Sequence, residues 1–155
     1  MKNLISVIIN FHNGEKFLEK SVKSVLDQNY KDLELILWDN ASTDNSKNIV
    51  DNFQDKRIKY YKNSNKDKLY KARNKAISYS NGKFIAFLDC DDWWENNYLS
   101  SREEFFTDPS IDFYYCNTNL YYEKTNKKKI YKNYSLPRGK IYSALSKDYF
   151  LIISG

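Results

Sequence analysis

The sequence contains little of what usually interrupts or cross-links a fold: four Gly, two Pro and two Cys in 155 residues. Cys90 and Cys116 lie in apolar, strand-like segments without CxxC spacing, which argues against a disulfide framework and against a zinc site. No apolar stretch is long enough to span a bilayer, and Asn10 and His12 break the short apolar run that a signal peptide would need to extend. We therefore expect a single domain over residues 1–155 in the cytoplasm, with any membrane contact peripheral, at the inner face of the plasma membrane.

Several nucleotide and hydrolase motifs are also missing from the sequence. There is no GxxxxGK(S/T), no GxGxxG and no GxSxG, so a P-loop, a dinucleotide-binding site and a serine hydrolase find no support. A nucleotidyltransferase would need a Gly-rich loop with Lys or Arg after the first strand. Residues 10–16 contain one Gly and no Arg, which argues against that class.

The positive charge is the main compositional excess, with a net charge of +5 and a pI near 9.0. Such a balance favours anionic partners. The basic residues are not interleaved with aromatics in a known nucleic-acid motif, so we expect no nucleic-acid partner. The one dense basic stretch is Lys124–Lys132, and it is typical either of a solvated hairpin or of a contact with a membrane surface or an anionic acceptor.

Apolar runs and amphipathic segments alternate along the first hundred residues, which predicts an α/β fold with a mostly parallel sheet flanked by helices. Helical spacing follows Gly14, follows Ser42–Asp44, and recurs in Lys68–Ser80, Asn97–Phe106 and Tyr142–Asp148, while Asn119–Tyr134 resembles a hairpin and Phe150–Ile153 is apolar. The predicted strands are Leu4–Ile9, Leu33–Trp38, Ile58–Tyr61, Lys83–Leu88 and Ile111–Cys116.

Ligands bind at the carboxyl ends of the strands in such sheets, so the polar residues just after each strand are site candidates. Asp89 and Asp91 follow the fourth strand in the segment Asp-Cys-Asp-Asp, and carboxylates in this position suit Mg²⁺ or Mn²⁺ bound together with substrate phosphates. Asp39 follows the second strand and could accept a hydrogen bond from a base. Arg73 suits phosphate recognition, and His12, the sole His, lies where the first strand ends. Each has a structural alternative. Asp89 and Asp91 could cap a helix, Asp39 could hold a turn, Arg73 could form a surface ion pair, and the His12 ring could be merely exposed.

Taken together, these segments resemble the large family 2 of inverting glycosyltransferases, whose fold is called GT-A. The resemblance is dense over about the first hundred residues and fades after Phe113. It rests on Ser6–Asn13, Ser24–Tyr30, Glu34–Trp38, Asp39–Asp44, Ala72–Asn74 and Phe87–Asp92.

The resemblance implies a role for each matching residue. His12 would lie beside the base, Asp39 would read the base, and Arg73 would lie near the base and diphosphate. Asp89 and Asp91 would form the DXD pair, with Asp89 nearer the ribose and Asp91 binding Mn²⁺ or Mg²⁺. Asn10 stands where the family commonly has Pro and His12 where it commonly has Tyr, so base stacking would be weaker or different. Asn40 stands in place of the second Asp of the usual pair, while Asp39 is retained.

The implied activity is transfer of a sugar from a nucleotide-diphosphate sugar, a UDP-sugar by family habit, to a glycan or lipid-linked acceptor with inversion. Residues 1–116 would form the donor-binding core, and 117–155 would begin the acceptor side. No counterpart of the general base is found, so we expect it beyond Gly155, in a chain that is truncated at its C-terminus. The alternative is a fragment that binds nucleotide sugar without transferring it.

Overall fold

The centre of the molecule is a four-stranded parallel sheet with strand order β3-β2-β1-β4. The computed structural model describes residues 3–131, 136 and 138–139. The strands of the sheet are β1 (Ile5–Phe11), β2 (Leu33–Asp39), β3 (Ile58–Lys62) and β4 (Phe84–Asp89). Consecutive strands are connected by α1 (Leu18–Leu26), α2 (Ser46–Asp51) and α3 (Leu69–Ile77). The predicted architecture, a parallel sheet flanked by helices, is confirmed.

The two faces of the sheet are covered by different helices, because successive side chains of a strand point to opposite sides. On one face Ile9 of β1 packs in the same cluster as Val22 of α1. On the other face Ile8 packs with Ala72 and Ala76 of α3. Since β1 and β2 lie in the middle and are covered on both faces, they are buried along their whole length.

The amino-terminal ends of the strands meet at one buried carboxylate, Glu34. Its Oε1 accepts hydrogen bonds from the Ser6 hydroxyl at 2.5 Å and from the Asn81 N–H at 2.6 Å, and its Oε2 accepts one from Lys59 Nζ at 2.5 Å. The Gly82 N–H donates to Ser6 Oγ at 2.8 Å. Burial alone would raise the pKa of Glu34, but these donors outweigh it and lower the pKa to about 2. The cluster ties β1, β2, β3 and the entry to β4 together.

Two predicted elements differ from the structure. Asn97–Phe106 is a turn followed by a 3-10 helix, Ser100–Phe106, instead of an α-helix. The predicted fifth strand, Ile111–Cys116, is wrong, because no strand forms there. This segment and Ile85 of β4 line a cavity of about 410 Å³, and the Tyr114 ring stacks on Phe105 with the ring centres 4.7 Å apart.

A separate antiparallel hairpin follows, formed by β5 (Asn119–Tyr122) and β6 (Lys127–Ile130). The hairpin predicted around Asn126 is confirmed, and this residue has a φ of 51° at the turn. No helix in the described part of the chain is long and apolar enough to cross a membrane. The predicted elements Tyr142–Asp148 and Phe150–Ile153 lie outside the described residues.

Candidate functional site

Two loops at the carboxyl edge of the sheet, one after β1 and one after β2, are joined by side-chain to backbone hydrogen bonds. The Asn13 N–H donates to Ser42 Oγ at 2.9 Å, and the Thr43 N–H donates back to Asn13 Oδ1 at 2.8 Å. The Gly14 N–H donates to Ser46 Oγ at 2.9 Å. Because the bonds run in both directions, the loops form one preorganised rim beside the strand ends.

The backbone of this rim is locally strained. Asn13 has a φ of 57° and Ala41 a φ of 63°, both in the left-handed region. Asn adopts that region readily, whereas a residue such as Ala does so at a cost of about 1 kcal/mol. Ala41 is held between Asn40, whose N–H bonds to the last carbonyl of β1 at 2.8 Å, and Ser42, whose N–H bonds to Asp39 Oδ1 at 2.6 Å. Strain that the surroundings enforce is common at ligand sites.

Asp39, at the end of β2, is fully buried and already engaged by protein groups. Besides the bond from Ser42, its Oδ2 accepts a hydrogen bond from the Tyr60 hydroxyl at 2.7 Å, and Lys62 Nζ lies 3.7 Å away. Burial, followed by the hydrogen bond to Asp39 and its charge, raises the pKa of Tyr60. Asp39 therefore fastens β2, β3 and the following loop to one another, and its role in reading a base stays a prediction.

His12 and Asn40 contact each other in this rim. His12 Nδ1 lies 3.0 Å from the Asn40 carbonyl oxygen, and because a carbonyl only accepts, Nδ1 carries the proton. The Asn40 amide pairs with the backbone of Asp67, donating to its carbonyl at 2.9 Å and accepting from its N–H at 2.9 Å. An Asp at position 40 could not donate that first bond, so this contact favours Asn at the position.

Arg73 and Asp89, two residues singled out separately in the sequence, form an ion pair. The Arg73 guanidinium donates to Asp89 Oδ1 at 2.6 Å, and its carbon lies 5.4 Å from the centre of the Phe87 ring. The pair links α3 to the end of β4. Asp91, two residues after Asp89, is exposed to solvent.

A cavity of about 640 Å³ lies between the end of β4 and the hairpin, and both Asp89 and Asp91 line it. The hairpin contributes Tyr121, whose ring meets Trp93 edge-on at 5.4 Å, and Lys20 Nζ lies 3.0 Å above the Trp93 ring. The predicted residues therefore fall into two groups. His12 and Asp39 belong to the rim formed by the two loops, while Asp89 and Asp91 face the cavity and Arg73 is attached to Asp89.

The residues at the cavity fit a hard divalent cation that arrives with a phosphate ligand. In the described part of the chain, no three His, Cys, Asp or Glu side chains are grouped so as to hold a metal by themselves. Mg²⁺ and similar ions are commonly bound by one or two carboxylates plus substrate phosphates. Asp91 can provide one carboxylate, and Asp89 can provide the second through Oδ2, since Arg73 bonds to Oδ1. Burial, then the charges of Asp91 and Asp89, raises the pKa of the intervening Cys90 to about 11.

Sequence reasoning missed several residues of the site. Tyr60 and Lys62 support Asp39 from β3, and Lys62, as the last polar residue of a strand, could have been found by the strand-end rule. Trp93 and Tyr121 are paired only by the fold, and nothing in their spacing reveals the contact.

Comparison with known proteins decides the family. The profile described as "Glycosyl transferase family 2" matches residues 6–153. The chain belongs to glycosyl transferase family 2. The resemblance seen in its motifs is thereby confirmed, and among solved structures of this α/β fold it is similar to Staphylococcus aureus TarS 1-349 in complex with UDP-GlcNAc. That similarity has a TM-score of 0.63 and 28% identity over 68% of this chain and 31% of that one.

Two curated glycosyltransferases show the range of its relatives. The UDP-Glc:alpha-D-GlcNAc-diphosphoundecaprenol beta-1,3-glucosyltransferase WfgD of Escherichia coli is 37% identical over 145 residues, covering 94% of this chain and 56% of that protein. The GalNAc(5)-diNAcBac-PP-undecaprenol beta-1,3-glucosyltransferase of Campylobacter jejuni is 42% identical over 95 residues, covering 57% of this chain and 29% of that protein. This family 2 chain thus spans about half the length of the E. coli relative and less than a third of the C. jejuni relative.

Proposed function

We propose that the protein transfers a sugar from a UDP-sugar to a saccharide carried on a lipid diphosphate, with inversion at the anomeric carbon. The observation that carries the proposal is the exposed Asp91 next to the Arg73–Asp89 pair, at the carboxyl end of β4 and on an open cavity. The E. coli relative is a glucosyltransferase that takes UDP-Glc as donor and GlcNAc-diphosphoundecaprenol as acceptor, which supports the choice of donor and acceptor.

The donor would lie across the two groups of site residues. We assign the base to the rim, beside the half-buried His12 ring and Asp39, and the ribose to Asp89. Arg73 would balance the negative charge of the diphosphate, because a guanidinium offers several donors in a fixed plane. Since Asp39 is already bonded on both oxygens, a base N–H would have to share or displace one of its present donors.

Asp91 is the residue assigned to Mn²⁺ or Mg²⁺. A divalent ion at this position would supply charge neutralisation on the departing diphosphate. Asp91 suits the task because it is exposed at a strand end, where it can reach the ion without first breaking a buried contact.

A lipid-linked acceptor would place the protein at the cytoplasmic face of the membrane by peripheral contact. The alternative, binding of nucleotide sugar without transfer, predicts donor binding or slow donor hydrolysis with no sugar appearing on an added acceptor. Chromatography of a radiolabelled donor and lipid-linked acceptor separates these two outcomes.

The experiment that tests the donor site is calorimetric titration of UDP into the purified chain, with Mn²⁺ and then with EDTA. We expect Asp91→Asn to remove the metal-dependent part of the affinity, about tenfold or more, because one of the few carboxylates available to the ion loses its charge. Asp51→Asn, the same change on the exposed end of α2, is the matched control and should leave UDP binding unchanged. Equal binding in Mn²⁺ and EDTA, or an unchanged Asp91 variant, would contradict the assignment.

A further inference from the structure

The two faces of the β5–β6 hairpin have different chemistry. Side chains that pair across the strands share a face. Tyr121 and Lys128 pair with each other and turn toward the domain, where the Tyr121 ring meets Trp93 and Lys128 Nζ lies 3.3 Å from Glu95 Oε1. The opposite, outer face carries the pairs Tyr122–Lys127 and Leu120–Lys129.

The outer face combines free positive charge with exposed apolar surface. Lys127 and Lys129 are exposed, and neither forms an ion pair with any residue that the structure describes. The Tyr122 side chain, paired with Lys127 on this face, is 49% exposed. Long basic side chains next to Tyr are suited to the boundary between lipid headgroups and acyl chains, where the stems lie on apolar surface and the ammonium groups meet phosphate.

We infer that the outer face of the hairpin docks on a membrane surface rich in anionic phospholipid. Charge complementarity selects this occupant, because closely spaced lysines gain most from a continuous negative surface. Strand β5 of the same hairpin lines the cavity that holds Asp89 and Asp91. Docking would therefore hold the cavity beside the membrane. This inference rests on the proposed function in one respect, that a lipid-linked acceptor would reach the cavity from the membrane.

A second surface has a similar composition and serves as the comparison. Leu69 and Tyr70 of α3 are exposed, with Lys68 and Lys71 next to them. This surface belongs to α3, which packs on the face of the sheet opposite to α1. The hairpin is preferred because its residues line the cavity that holds Asp89 and Asp91, whereas no residue of α3 does.

The test is co-sedimentation of the purified chain with vesicles, without nucleotide, metal or acceptor. Vesicles of phosphatidylcholine alone are compared with vesicles that also contain phosphatidylglycerol. We expect binding only to the anionic vesicles, with release when the salt is raised from about 0.1 M to about 1 M, since the screening length falls from about 10 Å to about 3 Å.

The double variant Lys127→Gln/Lys129→Gln should reduce partitioning about 25-fold, roughly fivefold for each lysine. The matched control Lys68→Gln/Lys71→Gln makes the same change in net charge on α3 and should alter partitioning by less than about threefold. UDP titration of both variants monitors the donor site separately, so a failure of docking is distinguishable from a failure of the proposed function. No binding to anionic vesicles, or equal losses in the two double variants, would overturn the inference.

Discussion

Replacing Glu34 by Gln tests how the amino-terminal edge of the sheet is held together. The substitution keeps the shape of the side chain but removes the charge on which Ser6, Asn81 and Lys59 converge. Lys59 is partly exposed and can turn to water. The Ser6 hydroxyl and the Asn81 N–H are less free to do so, and they would face a neutral amide that accepts through one atom instead of two.

The size of the effect follows from the pKa of Glu34, which is lowered from its ordinary value of 4.5 to about 2. A difference of that size corresponds to about 3 kcal/mol of preference for the charged form in the folded state. Because the folded pKa lies below the unfolded one, this contribution is fully present above pH 4.5 and is lost as the pH falls toward about 2. By about pH 3, less than half of it remains.

The assay is urea unfolding of the wild type and Glu34→Gln at several pH values. We expect the difference in free energy of unfolding to be about 3 kcal/mol near pH 7 and to shrink to about 1 kcal/mol near pH 3. Acid effects common to both proteins cancel in this difference. Glu104→Gln, at an exposed position of the 3-10 helix, should change the free energy by less than about 0.5 kcal/mol. A difference that is small at neutral pH, or that does not vary with pH, would refute the reasoning.

Three further substitutions test how closely two glycines approach neighbouring atoms and how Asn40 holds the rim. Gly82→Ala places a Cβ 2.5 Å from the Ser6 backbone nitrogen, so we expect a loss of about 2 kcal/mol or more in urea unfolding. Gly14→Ala, whose nearest atom would be 3.3 Å away, should lose less, and similar losses in the two variants would contradict the steric argument. Asn40→Asp removes the donor to a backbone carbonyl and adds a charge next to the buried Asp39; we expect about 2 kcal/mol of destabilisation, and an unchanged urea midpoint would argue against the pairing.

The sheet could be predicted from the sequence because its apolar runs are strong local signals. Its four strands nevertheless end one or two residues later than predicted, at Phe11, Asp39, Lys62 and Asp89. The prediction stopped where polar residues begin, but the backbone ladder does not depend on side-chain polarity, and it continues through Asn10 in β1 and through the last polar residue of each other strand. At Ile111–Cys116 the error was the reverse, because a strand was predicted from apolar residues where none forms. The Tyr114 ring of this segment packs on Phe105, and the segment does not pair with β4.

The site was predictable in part. The strand-end rule located Asp39, Asp89 and Asp91 at one edge of the sheet, and the structure places them there. What the rule could not give is which side chains already bind one another. The Arg73–Asp89 pair and the burial of Asp39 depend on the packing of α3 and β3, which are distant in the chain from the residues that they hold. The boundary near residue 116 and the roles of His12 and Asp39 stay predictions.

The reciprocal bonds between Asn13, Ser42 and Thr43 have a consequence for protein engineering. Each loop depends on the other as well as on its own bonds, since each supplies hydrogen-bond partners to the other. A loop transplanted from a relative to change donor preference would therefore bring mismatched partners unless its counterpart were transplanted with it. In a library of variants, the two segments should be varied together.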